Sequence, residues 1–93
     1  MRSARLIVAD DHVLLLDGIK SLLQSCFDVV GTFTDGYALV NGAAELTPDV
    51  IVLDIGMPKL SGLSAGKRLK QMLPKVKLVY LTKEFVRPVV AGD

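Results

Sequence analysis

Four short apolar runs alternate along this chain with three longer segments whose apolar residues recur at helical spacing. The runs cover residues 6–9, 27–33, 50–53 and 76–81, and the longer segments cover 13–25, 37–46 and 61 to about 73. Short apolar runs predict buried strands, and apolar residues three or four positions apart predict helices with one buried face. A regular alternation of strand and helix predicts an α/β domain with one parallel sheet and right-handed crossovers.

The composition is consistent with a small domain of this class. Of the 93 residues, 51% are hydrophobic and only 5% aromatic, which suits a parallel sheet covered on both faces. The formal net charge of +1 gives no general attraction to nucleic acid or to anionic lipid.

The sequence indicates neither export nor membrane insertion. No apolar stretch approaches the ~18 residues of a membrane span, and the basic start at residues 1–5 precedes too short an apolar run for a signal peptide. The single cysteine, Cys26, excludes an internal disulfide and fits a reducing compartment. We therefore expect a cytoplasmic domain without membrane contact.

Polar side chains follow three of the predicted strands. Asp10 and Asp11 follow the first, Asp54 the third and Thr82 the fourth. The carboxyl ends of parallel strands meet at one sheet edge, so the acids should gather there if the first and third strands are neighbours. Mg²⁺ would relieve their mutual repulsion, because it binds carboxylates together with phosphate oxygens. The pattern predicts phosphoryl transfer, with Asp54 as the nucleophile and the Thr82 hydroxyl as a donor to the phosphoryl group.

Each of these signals is weak when it is taken alone. A single Asp at a strand end is more often a turn or a helix cap, and an Asp-Asp pair is more often a solvated turn. We interpret His12 as the start of the first helix rather than as a base or a metal ligand. The cations Lys67, Arg68 and Lys70 are interpreted as a solvated helix face.

Three motifs together resemble the receiver domain of two-component response regulators. They are Arg-Leu-Ile-Val-Ala-Asp-Asp-His at residues 5–12, Asp-Ile-Gly-Met-Pro at 54–58 followed by Gly62, and Leu-Val-Tyr-Leu-Thr at 78–82. The motif sequences most resemble those of the NarL/LuxR type, whose receivers precede a helix-turn-helix DNA-binding domain. The resemblance implies a flavodoxin-like (CheY-like), doubly wound parallel sheet, here with about four strands and three helices.

The resemblance also implies a role for each motif residue. Asp54 would be the phosphorylation site. Asp11 and Asp54 would bind Mg²⁺ directly, together with the backbone carbonyl of Gly56, and Asp10 would act through water. Thr82 would be the hydroxyl that turns towards the phosphoryl group. The donor would be a sensor histidine kinase or a small phosphodonor, and the chain would be a phosphoacceptor rather than an enzyme.

The end of the chain departs from the family pattern. Receivers have a fifth strand that ends in a lysine, and residues 83–93 do not resemble that part of the fold; Lys83 is no convincing substitute. We expect residues 1–82 to be a truncated receiver and 83–93 a tail outside the family. An uncovered edge at 76–81 predicts a homodimer, formed by edge pairing or by exchange of the fourth strand and the tail. DNA would be bound only through an output domain absent from this chain.

Two functions therefore stay open. The first is a phosphoacceptor module of a DNA-binding regulator, and the second is a truncated fragment that dimerises through its sheet edge and does not signal. A Mg²⁺-dependent phosphatase fits less well, because Gly56 occupies the second position of the Asp-x-Asp loop that such enzymes often use. A nucleotide-binding enzyme also fits less well, because the first strand ends in acids rather than in a glycine-rich loop.

Overall fold

The computed structural model describes residues 3–82, and all seven predicted elements are present. Their bounds are β1 Arg5–Ala9, α1 Val13–Leu23, β2 Asp28–Phe33, α2 Gly36–Leu46, β3 Val50–Asp54, α3 Gly62–Met72 and β4 Lys77–Leu81. The predicted tail at 83–93, including Lys83, lies outside the described residues. Element ends differ from the prediction by one or two residues, because hydrogen bonding rather than hydropathy defines them.

The four strands form one sheet in the order β2-β1-β3-β4, and all three pairs are parallel. This order confirms the flavodoxin-like, doubly wound arrangement. The winding direction of the sheet changes at β1, because β2 lies on one side of this strand and β3 lies on the other. The strands β1 and β3 are direct neighbours, with Ala9 opposite Leu53.

Side chains that alternate along β1 enter two separate cores, as the period of a strand requires. Ile7 and Ala9 pack in the core that α2 and α3 cover, and Leu6 and Val8 pack in the core that contains Leu16 of α1. The remaining buried members of the larger core are Leu39, Val40, Ala43, Ile51, Leu53, Met57, Leu60, Ala65, Leu69 and Val76. The burial of both sheet faces explains why β1 and β3 read as continuous apolar runs.

Two helices begin with a side-chain cap from the residue that precedes them. The side chain of Asp35 accepts a 2.8 Å hydrogen bond from the backbone N–H of Ala38, and that of Ser61 accepts one of 3.2 Å from Ser64. Each side chain satisfies an N–H that the first helical turn leaves without a partner. Each helix has 11 residues, and none within residues 3–82 is long and apolar enough to traverse a bilayer.

Candidate functional site

Strand ends bring the predicted acids to one edge of the sheet. Asp54 is the last residue of β3, and Asp10 follows β1 directly. Because Ala9 lies opposite Leu53 in the ladder, the two acids come next to each other at the same level of the sheet. They are the buried charged residues of the described part of the chain, with Asp10 0% and Asp54 4% exposed. The Asp11 side chain is more open, at 31%.

The carboxylates converge closely enough to share one cation. One oxygen each from Asp10, Asp11 and Asp54 and one ring nitrogen of His12 all lie within 4.8 Å of one another. We call these four side chains the strand-end cluster. Ligands of Mg²⁺ lie 2.0–2.1 Å from the ion, so two ligands on opposite sides are roughly 4 Å apart. Small side-chain adjustments would therefore bring the carboxylate oxygens to a single hard divalent ion.

His12 joins the cluster through both its backbone and its ring. Its backbone N–H donates a 2.8 Å hydrogen bond to Oδ1 of Asp10. Its ring Nδ1 lies 3.1 Å from Oδ1 of Asp11 and 3.5 Å from Oδ1 of Asp10. The prediction that His12 starts the first helix is confirmed, since it is the N-cap of α1. The sequence did not predict that the ring of His12 lies among the acids. The position of His12 directly after the Asp pair is the signal that could have indicated this.

The loop after β3 is anchored at several points and holds the Asp54 carboxylate. The backbone N–H of Gly56 donates a 3.1 Å hydrogen bond to Oδ1 of Asp54. Ile55 donates its N–H to the carbonyl of Leu81 at 3.0 Å and accepts from the N–H of Gly62 at 2.8 Å. The loop is further anchored by Met57, which is 5% exposed. The role predicted for the Gly56 carbonyl in binding a metal stays a prediction.

Thr82 lies at the same edge of the sheet as the acids. Asp54 is opposite Leu81 in the pairing of β3 with β4, and Thr82 is the next residue. It is exposed. Its position fits the hydroxyl role predicted from the sequence, and that role stays a prediction.

The fold and the strand-end cluster together define a class of signalling domain. The family model for the response regulator receiver domain matches residues 6–91, and the chain belongs to that family. The match extends past Thr82, and the domain boundary predicted there stays a prediction.

The curated relatives of the chain are NarL/LuxR-type response regulators. The chain is 38% identical over 80 residues to the transcriptional regulatory protein DegU of Brevibacillus brevis, covering 84% of this chain and 34% of that protein. It is 39% identical over 80 residues to the response regulator VraR of Staphylococcus saprophyticus, covering 84% and 38%. The chain thus spans about a third of the length of these curated relatives.

Solved receiver domains have the same fold. The receiver domain of the putative response regulator NarL from Mycobacterium tuberculosis superposes with a TM-score of 0.82 at 26% identity, covering 88% of this chain and 68% of that one. The isolated receiver domain of RcsB from Salmonella enterica serovar Typhimurium, solved with the phosphomimetic BeF3⁻, gives 0.79 at 34% identity, covering 87% and 62%.

Proposed function

We propose that this chain is the phosphoacceptor of a two-component phosphorelay and that Asp54 receives the phosphoryl group from a sensor histidine kinase. The observation that carries the proposal is the convergence of Asp54 with Asp10 and Asp11 within 4.8 Å at the edge where β1 and β3 end. A buried carboxylate held at a strand end by its loop is a positioned nucleophile. Membership in the receiver family supports the same chemistry.

The proposed step exchanges one bond to phosphorus for another. A carboxylate oxygen of Asp54 attacks the phosphorus of the donor phosphohistidine and forms a P–O bond. The P–N bond breaks, and its electron pair stays on the imidazole nitrogen of the donor. The product is an acyl phosphate on Asp54. The hydrogen bond from the Gly56 N–H to Oδ1 orients the carboxylate before the attack.

Magnesium is the proposed cofactor, and the donor set suits it because Mg²⁺ takes carboxylate, carbonyl and phosphate oxygens. Asp11, Asp54 and the backbone carbonyl of Gly56 would hold the ion directly, and Asp10 would do so through water. When bound, the ion neutralises the negative charge that the acids and the phosphoryl oxygens bring together. The Thr82 hydroxyl would donate a hydrogen bond to a phosphoryl oxygen.

We also propose what the intact regulator contains besides this chain. Because the chain spans about a third of its curated relatives, we infer that the intact regulator carries a DNA-binding output domain and controls transcription. Structures of RcsB bound to DNA support this inference. DNA would then be contacted through the output domain. The single cysteine is consistent with a cytoplasmic location, which is part of the proposal.

A homodimer through β4 is a separate part of the proposal. Within residues 3–82, β4 pairs with β3 alone, so its other edge offers backbone N–H and C=O groups to a second copy. Val79 of this strand is 47% exposed. Exchange of β4 together with the tail would use residues outside the described part. A monomeric mass in light scattering at micromolar concentration would overturn the dimer and leave phosphoryl transfer unaffected.

The decisive experiment is incubation of the chain with Mg²⁺ and acetyl phosphate, followed by intact-mass measurement. We expect addition of one phosphoryl group that hydroxylamine removes, because acyl phosphates react with that nucleophile. Asp54→Ala should abolish the addition. Asp17→Ala removes an exposed acid of α1 outside the cluster and should retain it. An unmodified wild-type chain that dimerises would instead favour the fragment that does not signal.

A further inference from the structure

An open pocket lies at the end of the sheet opposite to the strand-end cluster, and we call it the basal pocket. Its volume is about 520 Å³, within the range typical of small-molecule sites. One wall is residues 47–49, which precede β3, and the other is residues 72–76, which precede β4. We propose that the basal pocket binds a small carboxylate with an aliphatic or aromatic body, and that the Lys75 ammonium pairs with the carboxylate. This inference goes beyond the proposed function and uses no residue of the strand-end cluster.

The lining of the basal pocket is mostly apolar, with five such side chains: Pro48, Met72, Leu73, Pro74 and Val76. Val76 is only 3% exposed, whereas Met72 is 45% exposed. A ligand that covered this surface would remove apolar area from water, and its stabilisation would grow with that area. Met72 suits such a wall, because its unbranched side chain adapts to the shape of a neighbour. The pocket therefore favours a ligand with an apolar body.

The first wall of the basal pocket is held in place by Arg5. The Arg5 guanidinium donates hydrogen bonds to the carbonyls of Leu46 at 2.8 Å and Thr47 at 3.2 Å, at the C-terminal end of α2. The backbone N–H of Arg5 donates to Oδ2 of Asp49 at 2.7 Å. The carbonyl of Asp49 accepts from the N–H of Lys77 at 3.0 Å, which joins this wall to the start of β4. A ligand would meet a preformed wall, so binding would cost little ordering.

The second wall is held in place by Lys70 of α3. Its Nζ donates to the carbonyl of Val76 at 2.6 Å and to that of Pro74 at 3.0 Å. The N–H of Val76 donates to the carbonyl of Leu73 at 3.0 Å. These hydrogen bonds fix the turn that carries Lys75, and they keep the charge of Lys70 close to the pocket.

The charge around the basal pocket favours an anion. Residues 55–82 contain six cations and no acidic residue, whereas residues 3–54 contain two cations and eight acidic residues. Lys75 is exposed, and its side chain makes no hydrogen bond or ion pair within residues 3–82. Asp49 brings a negative charge to the pocket, and the cations Arg5 and Lys70 at the same walls offset it. Lys75 is therefore the charge that a bound carboxylate would meet.

The test uses sodium octanoate as the probe and the full ¹⁵N-labelled chain, followed by two-dimensional ¹H–¹⁵N spectra near neutral pH. We expect saturable shifts of the amide signals of Thr47, Asp49, Met72, Leu73 and Lys75. The alcohol 1-octanol has the same apolar body without the charge. It should bind about two- to fivefold more weakly than octanoate, the difference that a partly exposed ion pair supplies.

Three variants separate the charge of the site from its apolar walls. Lys75→Gln should lower the affinity for octanoate by about two- to fivefold and leave that for octanol unchanged. Lys67→Gln removes another exposed cation, one that lies on α3 outside the pocket, and should bind octanoate as the wild type does. Met72→Gln replaces an apolar side chain by a polar one of similar length and should weaken both probes.

Several results would overturn the basal pocket as a ligand site. They are shifts that rise without saturation, an octanoate affinity that is equal in the wild type and Lys75→Gln, and shifts centred on Val79 of the sheet edge. Shifts of the pocket amides on dilution without a probe would identify a second copy of the chain as the occupant and would also overturn it. Each of these results leaves phosphoryl transfer to Asp54 standing, because the two sites lie at opposite ends of the sheet.

Discussion

Gly62 lies directly against the backbone of Asp54. A Cβ atom placed on Gly62 would collide with the carbonyl oxygen and carbon of Asp54, and the N–H of Gly62 donates to the carbonyl of Ile55 at 2.8 Å. Gly62 is also the first residue of α3. The glycine therefore lets the start of α3 approach the end of β3, and this contact closes the loop that carries the proposed phosphoacceptor.

Replacement of Gly62 by alanine should destabilise the domain. The added methyl group has backbone atoms in its place, so the strand end or the helix must shift, and overpacking of this kind typically costs about 1–3 kcal/mol. Urea unfolding followed by circular dichroism measures the change in the free energy of unfolding. Phosphorylation of Asp54 should also slow, because the shift moves its carboxylate.

Gly18 provides the matched control in the middle of α1. A Cβ placed there meets nothing within 4 Å. Gly18→Ala should therefore raise the free energy of unfolding by up to about 1 kcal/mol, the helix-propensity difference between the two residues. Equal effects of the two glycine substitutions would contradict the packing argument at Gly62.

Gly66 and Tyr80 should behave as a coupled pair. A Cβ on Gly66 would overlap the Tyr80 hydroxyl and lie 3.0 Å from the ring carbon Cζ that bears it. Gly66→Ala should lower the free energy of unfolding, and Tyr80→Phe in the same chain should recover part of the loss by removing the hydroxyl oxygen. A double-mutant cycle measures this coupling. Strictly additive effects would show that the contact does not limit packing.

Asp35 should stabilise α2 through its cap rather than through its charge. Its side chain accepts a hydrogen bond from Ala38, and Asp35→Ala should cost about 1 kcal/mol, measured by urea unfolding. Asp35→Asn retains an equally good capping side chain while removing the charge that faces Lys59, whose Nζ is 3.9 Å away. The prediction fails if the Asn variant loses as much stability as the Ala variant.

Mg²⁺ should stabilise the folded domain, because an ion that binds the native strand-end cluster shifts unfolding by mass action. A concentration of 100 times the dissociation constant would add about 2.7 kcal/mol. Asp11→Asn should reduce this increment by removing a proposed ligand. In EDTA the same variant should be no less stable than the wild type, since it relieves repulsion among the carboxylates of the cluster. Thermal unfolding with and without Mg²⁺ checks both expectations.

Local sequence features predicted much of this architecture. The apolar run ending at Asp54 indicated β3, and the capping residues Asp35 and Ser61 marked the starts of two helices, because a cap acts over three residues of contiguous chain. The motifs around Asp10 and Asp54 were sufficient to indicate the receiver family. The tight approaches at Gly62 and Gly66 had no comparable signal, because the atoms that require them belong to other elements.

We could predict the alternation of strands and helices, and the acids at the strand ends, from the sequence alone. Hydropathy periods and caps express interactions between residues a few positions apart, so they can be read along the chain. Only the folded structure shows that β1 lies beside β3 in the register that brings Asp10 next to Asp54, and that the ring of His12 lies among these acids. Those distances depend on hydrogen bonding and packing between segments that are remote in sequence.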